Sequence, residues 1–288
     1  MYLGVQGLMP PDLGAVTDAT MAGIRAHGFT GTACRFSEPL AVTEADARRL
    51  RAVMEAGGVE PCQAVAQHPD LIASDPGERR EGILSLQHMC SVTRWLGAGN
   101  LYIRPGSLNP RGSWYPHPDN YRAETFDTLV DSLKQVCAAA EEYGVLLAVE
   151  GHVLSILDTP GRIVELIDAV GSDTLRFNMD PVNFVSGVRD AYDTTSLLER
   201  LFDALGRYTI CAHAKDFVLR DRLVLHIEEA VIGEGLLDQA TFLSRFEESC
   251  PGGYIQIEHL PEDKIPQARE SLYRTGLDAG VAWNGLDG

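Results

Sequence analysis

The feature that most restricts the fold of this chain is an alternation of short apolar segments and longer amphipathic segments, repeated eight times along 288 residues. The short apolar runs predict buried strands, and the longer segments, several of which open with Thr, Ser or Asp, predict capped helices. Strands that alternate with helices form parallel sheets, and eight such units can close into a barrel. The sequence therefore predicts an α/β fold, a (β/α)₈ TIM barrel, with residues 1–288 forming a single domain.

The hydrophobic pattern and the capping signals place each element to within a few residues. The predicted strands are 2–6, 30–35, 60–67, 100–104, 145–150, 175–180, 208–213 and 254–258. The predicted helices are 17–27, 43–56, 77–96, 121–143, 159–169, 194–205, 238–249 and 263–275. Two connections that follow strands are long, 105–120 and 216–237. Long loops at a barrel mouth often act as lids.

Residue parity along the last four predicted strands separates two faces, because successive side chains point to opposite sides of a sheet. One face is apolar and is predicted to pack against the helices: Val145, Leu147, Val149, Leu175, Phe177, Met179, Ile210, Ala212, Ile255 and Ile257. The other face becomes polar toward the carboxyl end of each strand. This polar face is the predicted lumen, and the carboxyl ends form the mouth where such barrels house their chemistry.

The charge and the cysteines of the chain restrict its partners and its compartment. A net charge of -17 repels phosphodiester backbones and anionic membrane surfaces, so we expect neither nucleic acid nor membrane as a partner. The first residues lack the pattern of a secretory signal, and no apolar run approaches the roughly 20 residues of a membrane span. The six cysteines have no CxxC spacing, which predicts reduced thiols in a cytoplasmic protein.

Four side chains at the ends of consecutive predicted strands form a candidate metal site, namely Glu150, Asp180, His213 and Glu258. Three carboxylates and a neutral imidazole carry a charge of about -3, and such a cluster repels itself unless a cation fills it. Carboxylate and imidazole ligands suit manganese, magnesium, cobalt, iron and zinc, and manganese is the first choice. The sequence therefore predicts one divalent metal at the mouth of the barrel.

The sequence resembles the xylose-isomerase-like family of sugar phosphate isomerases and epimerases, which also contains endonuclease IV. The resemblance spans nearly the whole chain. It is carried by the order Glu, Asp, His, Glu on the last four strands, by the HxKD pattern at 213–216 and by the IGEG turn at 232–235. It implies a metal at the four positions and a small-molecule carbohydrate substrate. A homo-oligomer and a hetero-oligomer with a small subunit are both compatible with it.

The resemblance also implies a reaction. A metal in this setting would bind a carbonyl and an adjacent hydroxyl oxygen and stabilise the enediolate formed when the intervening carbon loses a proton. In the family's epimerases the two metal-binding glutamates exchange that proton, which makes Glu150 and Glu258 candidate catalytic groups. His152 shares the lumen face by parity and could act as a base, or could instead orient Glu150.

Six further residues are candidates for substrate binding. Lys215 could donate to a substrate oxygen, or could form a salt bridge with Asp216 or Glu258. Arg104 and Arg35 end strands, where guanidinium groups bind carboxylates, phosphates or sugar hydroxyls unless rim acids pair with them. The remaining candidates are His68, Asn183 and Trp114. The alternative for the histidine is a structural role, and the alternative for the tryptophan is to pin its loop to the barrel rim.

Three positions depart from the ketose 3-epimerases of the family. Where those enzymes have an acidic residue, a histidine and an arginine, this chain has Ile156, Asn183 and Leu219. A free-ketose 3-epimerase of the standard type is therefore not predicted. The missing histidine and the negative charge also argue against the trinuclear metal cluster of endonuclease IV.

Three functions are compatible with the sequence. The first is metal-dependent isomerisation or epimerisation of a sugar or keto-sugar, through proton abstraction and an enediolate. The second is a metal-dependent lyase that dehydrates a keto-cyclitol or eliminates an aglycone from a 3-keto-glycoside. The third is an inactive barrel that serves as a binding subunit, and retention of all four ligands argues against it.

Overall fold

The computed structural model describes residues 1–286 and contains a closed parallel barrel. Its strands, numbered in chain order, are β1 (Tyr2–Val5), β2 (Gly31–Phe36), β3 (Glu60–Ala66), β4 (Leu101–Ile103), β5 (Leu147–Val149), β6 (Leu175–Met179), β7 (Thr209–Ala214), β8 (Asp216–Leu219), β9 (Ile227–Ala230) and β10 (Tyr254–Ile257). The barrel order is β1, β10, β7, β6, β5, β4, β3, β2, and β1 pairs with β2 to close it. The predicted fold class is confirmed.

Helices follow the barrel strands and cover the outside of the barrel. Over the described residues they are α1 (Asp18–Ala26), α2 (Glu44–Ala56), α3 (Pro76–Leu96), α4 (Ala123–Tyr143), α5 (Pro160–Val170), α6 (Val188–Tyr192), α7 (Thr194–Leu205), α8 (Gln239–Ser249) and α9 (Ile265–Asp278). Capping sets several ends: Thr43 and Asp46 form a reciprocal capping box at the start of α2. Gly97 and Gly144, with φ of 75° and 63°, end the two longest helices.

The two faces expected from parity are both present, with one exception. Leu147, Phe177 and Ile255 are fully buried between the strands and the helices. Ile210 was expected on the same face, but it is half-buried and lines a cavity at the amino-terminal end of the barrel. The β6–β7 ladder pairs Thr209 with Phe177 and Cys211 with Asn178, so Ile210 lies in a bulge that interrupts the alternation.

The segment 216–237, expected to be a long connection, contains the antiparallel hairpin of β8 and β9. The apolar side chains of its connecting turn, Leu223, Val224 and Leu225, are exposed. Strand β9 lacks the alternation of apolar and polar residues that marks a half-buried strand, and the apolar residues of the turn are exposed, which is why the hairpin was not predicted. The short helix α6 was also not predicted.

Two further observations concern the cysteines and the helices. The six cysteines are free thiols, and all except Cys250 are buried. Among residues 1–286, no helix combines the length and the apolar character needed to cross a membrane.

Candidate active site

The four predicted metal ligands converge at the carboxyl ends of β5, β6, β7 and β10. Glu150, Asp180 and Glu258 directly follow their strands, and His213 is the last lumen-facing residue of β7. Each offers one ligand atom, and these atoms lie within 4.8 Å of one another. All four side chains are buried. Four segments distant in sequence thus contribute to one cluster at the mouth.

Local sequence explains how Glu150 is held. A Cβ atom at Gly151 would lie 2.7 Å from Ile163 Cδ1 and 2.8 Å from Leu157 O, so the chain leaves β5 by a path that only glycine fits. Two amides then fix the carboxylate. Asn178 Nδ2 donates to Glu150 Oε2 at 3.0 Å, and Asn183 donates to Oε1. Asn183, a predicted substrate contact, therefore also orients this carboxylate.

Lys215 enters the same cluster. Its Nζ lies 2.7 Å from Asp180 Oδ2 and 2.7 Å from Glu258 Oε1. His213 Nδ1 lies 3.3 Å from Glu150 Oε2 and 3.2 Å from Glu258 Oε1. The charge of about -3 expected for the cluster omitted this ammonium group, so the protein supplies part of the compensating positive charge itself.

The close packing of these charges shifts their pKa values. Burial raises the pKa of Glu150 and of Glu258, but contact with His213 and the charge of Lys215 outweigh it and hold both below the usual value. Burial raises the pKa of Asp180 to about 7, with the neighbouring glutamates adding to it and Lys215 opposing it. Burial lowers the pKa of His213, but the glutamates outweigh it and raise the value to about 10. Both glutamates are therefore ionised at neutral pH.

The orientation of the His213 ring is set from below the cluster. Its Nε2 lies 3.1 Å from the amide oxygen of Gln63, a buried residue of β3. The amide nitrogen of Gln6 lies 3.0 Å from the same Nε2, so Gln6 and Gln63 together hold this edge of the ring and leave Nδ1 directed toward the carboxylates. Gln63 was not predicted as a site residue, although its parity on β3 places it in the lumen.

The cluster fits a divalent metal by its own chemistry. Carboxylate and imidazole donors are those preferred by the metals considered from the sequence. Asp180 Oδ1 is buried and makes no hydrogen bond within the described residues, so this carboxyl oxygen is available to a cation. A metal ion there would take Glu150, Asp180, His213 and Glu258 as ligands and would require the imidazole to be neutral.

A cavity of about 330 Å³ lies directly above the cluster. A larger cavity of about 850 Å³ opens at the amino-terminal end, but none of the four candidate ligands lines it. We assign the site to the smaller cavity because it contains the perturbed acids and lies at the end of the barrel where loops converge. Its walls include Gln6, Arg35, Tyr102, Trp114, Glu150, His152, Asn183, His213, Lys215, Glu229, Glu258 and His259.

His152 and Trp114 form one side of this cavity, with their ring centroids 5.8 Å apart in an edge-on arrangement. The backbone N–H of Leu154 donates to His152 Nδ1 at 3.0 Å. Burial, followed by the charge of Lys215, lowers the pKa of His152 to about 4 although Glu150 opposes the shift, so the ring is neutral at pH 7. With Nδ1 accepting a hydrogen bond, the ring proton lies on Nε2, which is therefore a donor toward a ligand.

The three remaining predicted substrate contacts lie in different places. Arg35 lines the cavity, and its Nη2 donates to Gln6 Oε1 at 2.9 Å. Arg104 and His68 do not line it. Arg104 donates to the carbonyl of His68 and lies 4.0 Å from Asp70 Oδ1, and His68 Nδ1 bonds Pro69 O at 2.6 Å. These contacts give both residues a structural role at the rim of β3 and β4.

Three residues that line the cavity were not predicted from the sequence. Tyr102 lies on β4, and its ring centroid is 5.7 Å from that of His213. It lies two residues before Arg104, so the residue parity that placed Arg104 on the lumen side could also have identified Tyr102. Glu229 lies on β9, in the hairpin that was not predicted. His259 has a φ of 61° and its Nδ1 bonds Glu229 Oε1 at 2.8 Å. Residue parity along β10 directs His259 away from the lumen, but this turn of the backbone brings it to the cavity.

Asp216 does not pair with Lys215. Its carboxylate instead accepts four backbone N–H groups, from Phe217, Gly233, Gly235 and Leu237. A Cβ atom at Gly235 would lie 2.1 Å from Asp216 Oδ1, which explains the glycine there. The HxKD aspartate and the IGEG turn thus form one structural unit that anchors the hairpin to the barrel.

The fold and the site together define a class, a closed (β/α)₈ barrel with an acidic cluster suited to a metal at its mouth. The chain belongs to the xylose isomerase-like TIM barrel family, whose sequence model matches residues 21–279. The resemblance seen in the sequence is confirmed. No curated protein matches the chain by sequence.

Solved structures resemble the chain over nearly its whole length. A xylose isomerase-like TIM barrel protein from Mycobacterium smegmatis, in complex with magnesium, has a TM-score of 0.74 and 14% identity, covering 96% of each chain. A D-tagatose 3-epimerase-like protein has a TM-score of 0.74 and 19% identity, covering 97% of this chain and 98% of that chain. The 3-keto-D-glucoside 4-epimerase of E. coli has a TM-score of 0.69 and 15% identity, covering 96% of this chain and 99% of that chain. At these identities the similarity concerns the fold.

Proposed function

We propose that the protein is a divalent-metal-dependent isomerase or epimerase that acts on a sugar or keto-sugar by proton abstraction. The observation that carries the proposal is the convergence of Glu150, Asp180, His213 and Glu258 within 4.8 Å at the floor of a cavity of about 330 Å³. That volume is at the small end of the range for ligand pockets, which suits a small polar substrate. Manganese is the first candidate for the metal, and the magnesium complex of the M. smegmatis protein supports a divalent ion.

The two glutamates are the proposed acid–base pair. When bound, the metal would supply Lewis-acid polarisation of a substrate carbonyl. Glu150 and Glu258 have lowered pKa values and are ionised at neutral pH, so either can accept a proton from the carbon next to that carbonyl. Glu150 Oε2 and Glu258 Oε1 both lie close to His213 Nδ1, at 3.3 and 3.2 Å, and both residues line the cavity, so two potential bases border the space for a ligand. Return of the proton on the opposite side inverts the carbon, and return to its neighbour isomerises the sugar.

Three other residues are proposed to bind the substrate. Lys215 can donate from Nζ to a substrate oxygen as negative charge develops there, because its ammonium is buried beside the carboxylates. His152 can donate from Nε2 to a hydroxyl group. Arg35 can contact the part of the substrate that lies toward β2.

The lyase remains an alternative outcome of the same proton abstraction. A lyase could use His152, the third candidate catalytic group, as its base. The hydrogen bond from Leu154 to Nδ1 and the ring proton on Nε2 leave this histidine without a free lone pair toward the cavity. The glutamates are thus the better candidates for the base, which favours isomerisation or epimerisation.

Solvent deuterium uptake tests the proposal. The purified full chain is incubated with manganese in D₂O with a panel of ketoses, keto-sugars and 3-keto-glycosides, and the products are followed by NMR and mass spectrometry. We expect deuterium next to the carbonyl of at least one compound, with the carbon skeleton conserved and with loss of uptake on addition of EDTA. Release of a fragment would establish the lyase instead.

Two variants complete the test. Glu258→Gln should abolish deuterium uptake, whereas Glu81→Gln, an exposed residue of α3, should retain it. If no compound takes up deuterium and the purified protein and Glu258→Gln both contain negligible metal, the proposal is wrong and the chain is a binding subunit. The assembly, the single-domain organisation and the cytoplasmic location stay predictions of the sequence.

A further inference from the structure

The mouth of the barrel contains a second cavity beside the candidate active site. It has a volume of about 390 Å³ and lies over the carboxyl ends of β1, β2 and β3. Most of its wall is apolar, and we name it the apolar groove after the residues that give it this character: Met9, Pro10, Pro11, Phe36, Val65 and Ala66. The candidate ligands all lie on the other side of the mouth.

The apolar groove borders the metal cavity. Arg35 and Val65 line both cavities, so the side chains of these two residues lie between the two spaces. Arg35 is exposed, and the only side-chain hydrogen bond of its guanidinium within the described residues is that to Gln6. An exposed side chain with one such contact can rotate aside, and its planar face can also stack on a flat ligand group.

The apolar groove also opens outward. A third cavity of about 520 Å³ shares Pro11, Arg35, Phe36 and Ser37 with it and extends to the start of α2. A substituent longer than one ring could therefore continue toward solvent without displacing protein. The dimensions suit a small organic group and not a protein segment.

The chemistry of the walls selects the occupant. Sugar hydroxyls that lose water need hydrogen-bond partners, and an apolar surface offers few. The apolar groove therefore favours an apolar group, whose transfer from water is favourable in proportion to its buried area. We propose that the substrate is a carbohydrate that carries an apolar substituent, of the aryl or alkyl class, and that the apolar groove binds this substituent while the sugar ring occupies the metal cavity. This inference rests on the proposed function for the sugar part alone.

Matched glycoside pairs test the inference. The manganese-loaded full chain is titrated with p-nitrophenyl and methyl glycosides of glucose, galactose and xylose, and dissociation constants are obtained by NMR. For at least one sugar, the p-nitrophenyl compound should bind about tenfold more tightly than the methyl compound, or better. Equal affinity within every pair, or no binding by any p-nitrophenyl glycoside, would overturn the inference.

A groove-filling variant provides the second arm. Ser37→Trp places a large ring in the apolar groove from its exposed rim, away from the candidate ligands. It should remove the preference for the p-nitrophenyl compound and leave the affinity for the methyl compound unchanged. Ser74→Trp, at an exposed position that lines neither cavity, should keep the preference. Retention of the preference in Ser37→Trp would contradict the inference, whereas failure of the proposed function would appear separately, as absent deuterium uptake in protein that still discriminates the pairs.

Discussion

The two halves of the barrel mouth differ in chemistry. Strands β5, β6, β7 and β10 each end in a buried ionisable side chain, and these side chains contact one another. Strands β1 to β3 surround an apolar groove, and His68 and Arg104, which lie beyond it, are bound to backbone and to each other. One closed barrel therefore has an ionic half and an apolar half at its mouth, to which we assign the proposed reaction and the proposed binding of a substituent. The predictions below test this division.

The largest expected effect lies in the ionic half. Glu258→Gln removes a negatively charged ligand and part of the negative charge that balances Lys215 and His213. Metal affinity should therefore fall by more than about 100-fold, which exceeds the loss found for residues that only support a ligand. Calorimetric titration with manganese at pH 7 measures it. Glu81→Gln should bind manganese like the parent chain. An unchanged affinity for Glu258→Gln would remove this residue from the site.

His68, at the rim beside the apolar half, should contribute to the pH dependence of the unfolding free energy. Burial and the charge of Arg104 lower the pKa of His68 from 6.5 to about 3, so the unfolded chain binds a proton more readily than the folded chain between these values. Stability contributed by the neutral imidazole is therefore present above pH 6.5 and is lost as the pH falls toward 3. Between pH 7 and pH 4 the loss should be about 3 kcal/mol.

The variant His68→Asn isolates this contribution, because asparagine can still donate to Pro69 O but does not titrate. Urea unfolding at pH 7 and pH 4 should give a smaller loss of unfolding free energy for His68→Asn than for the parent chain. Equal losses in the two proteins would show that His68 does not remain neutral in the folded state.

The hairpin that closes the ionic half depends on Asp216. Asp216→Asn replaces an acceptor oxygen with a donor that faces backbone N–H groups, including those of Gly233 and Gly235, and should lower the unfolding free energy by about 2 kcal/mol. The expected manganese affinity of the folded variant is close to that of the parent chain, because Asp216 is not a ligand. A large loss of affinity without a loss of stability would instead place Asp216 in the metal site.

The smallest expected effect connects the two halves through Gln63, which reaches from β3 to His213. Gln63→Leu removes the amide oxygen that contacts His213 Nε2, and manganese affinity should fall by about tenfold. Gln63→Glu keeps an acceptor oxygen and should retain more of the affinity. If Gln63→Leu and the parent chain bind manganese equally, the ring of His213 is positioned by other contacts.

The ionic half was more predictable from the sequence than the apolar half. Parity along a strand and the carboxyl-end position of each acid were enough to bring the four candidate ligands to one mouth. The contacts of Lys215 were less predictable, because a long flexible side chain can reach several acids and residue parity does not distinguish among them. Glu229 was missed because its strand β9 contains two adjacent glutamates and lacks the alternation of apolar and polar residues that marks a half-buried strand.

The apolar groove could not be predicted, because it combines the loop after β1 with the carboxyl ends of β2 and β3, and no local pattern marks that combination. Arg104 illustrates the same limit. Its position at the end of a strand directs it to the lumen side, but the carbonyl of His68 that binds it is a product of tertiary structure. Residues on strands are thus predictable by register, and contacts made by loops are not.

One diffraction measurement addresses the central claim directly, namely that the four side chains hold a divalent metal. Crystals grown with manganese should give a single strong anomalous peak per chain, bounded by Glu150, Asp180, His213 and Glu258, with the Lys215 ammonium displaced from its position between Asp180 and Glu258. A map without a peak at this position, in which Lys215 still bridges the two carboxylates, would contradict the account.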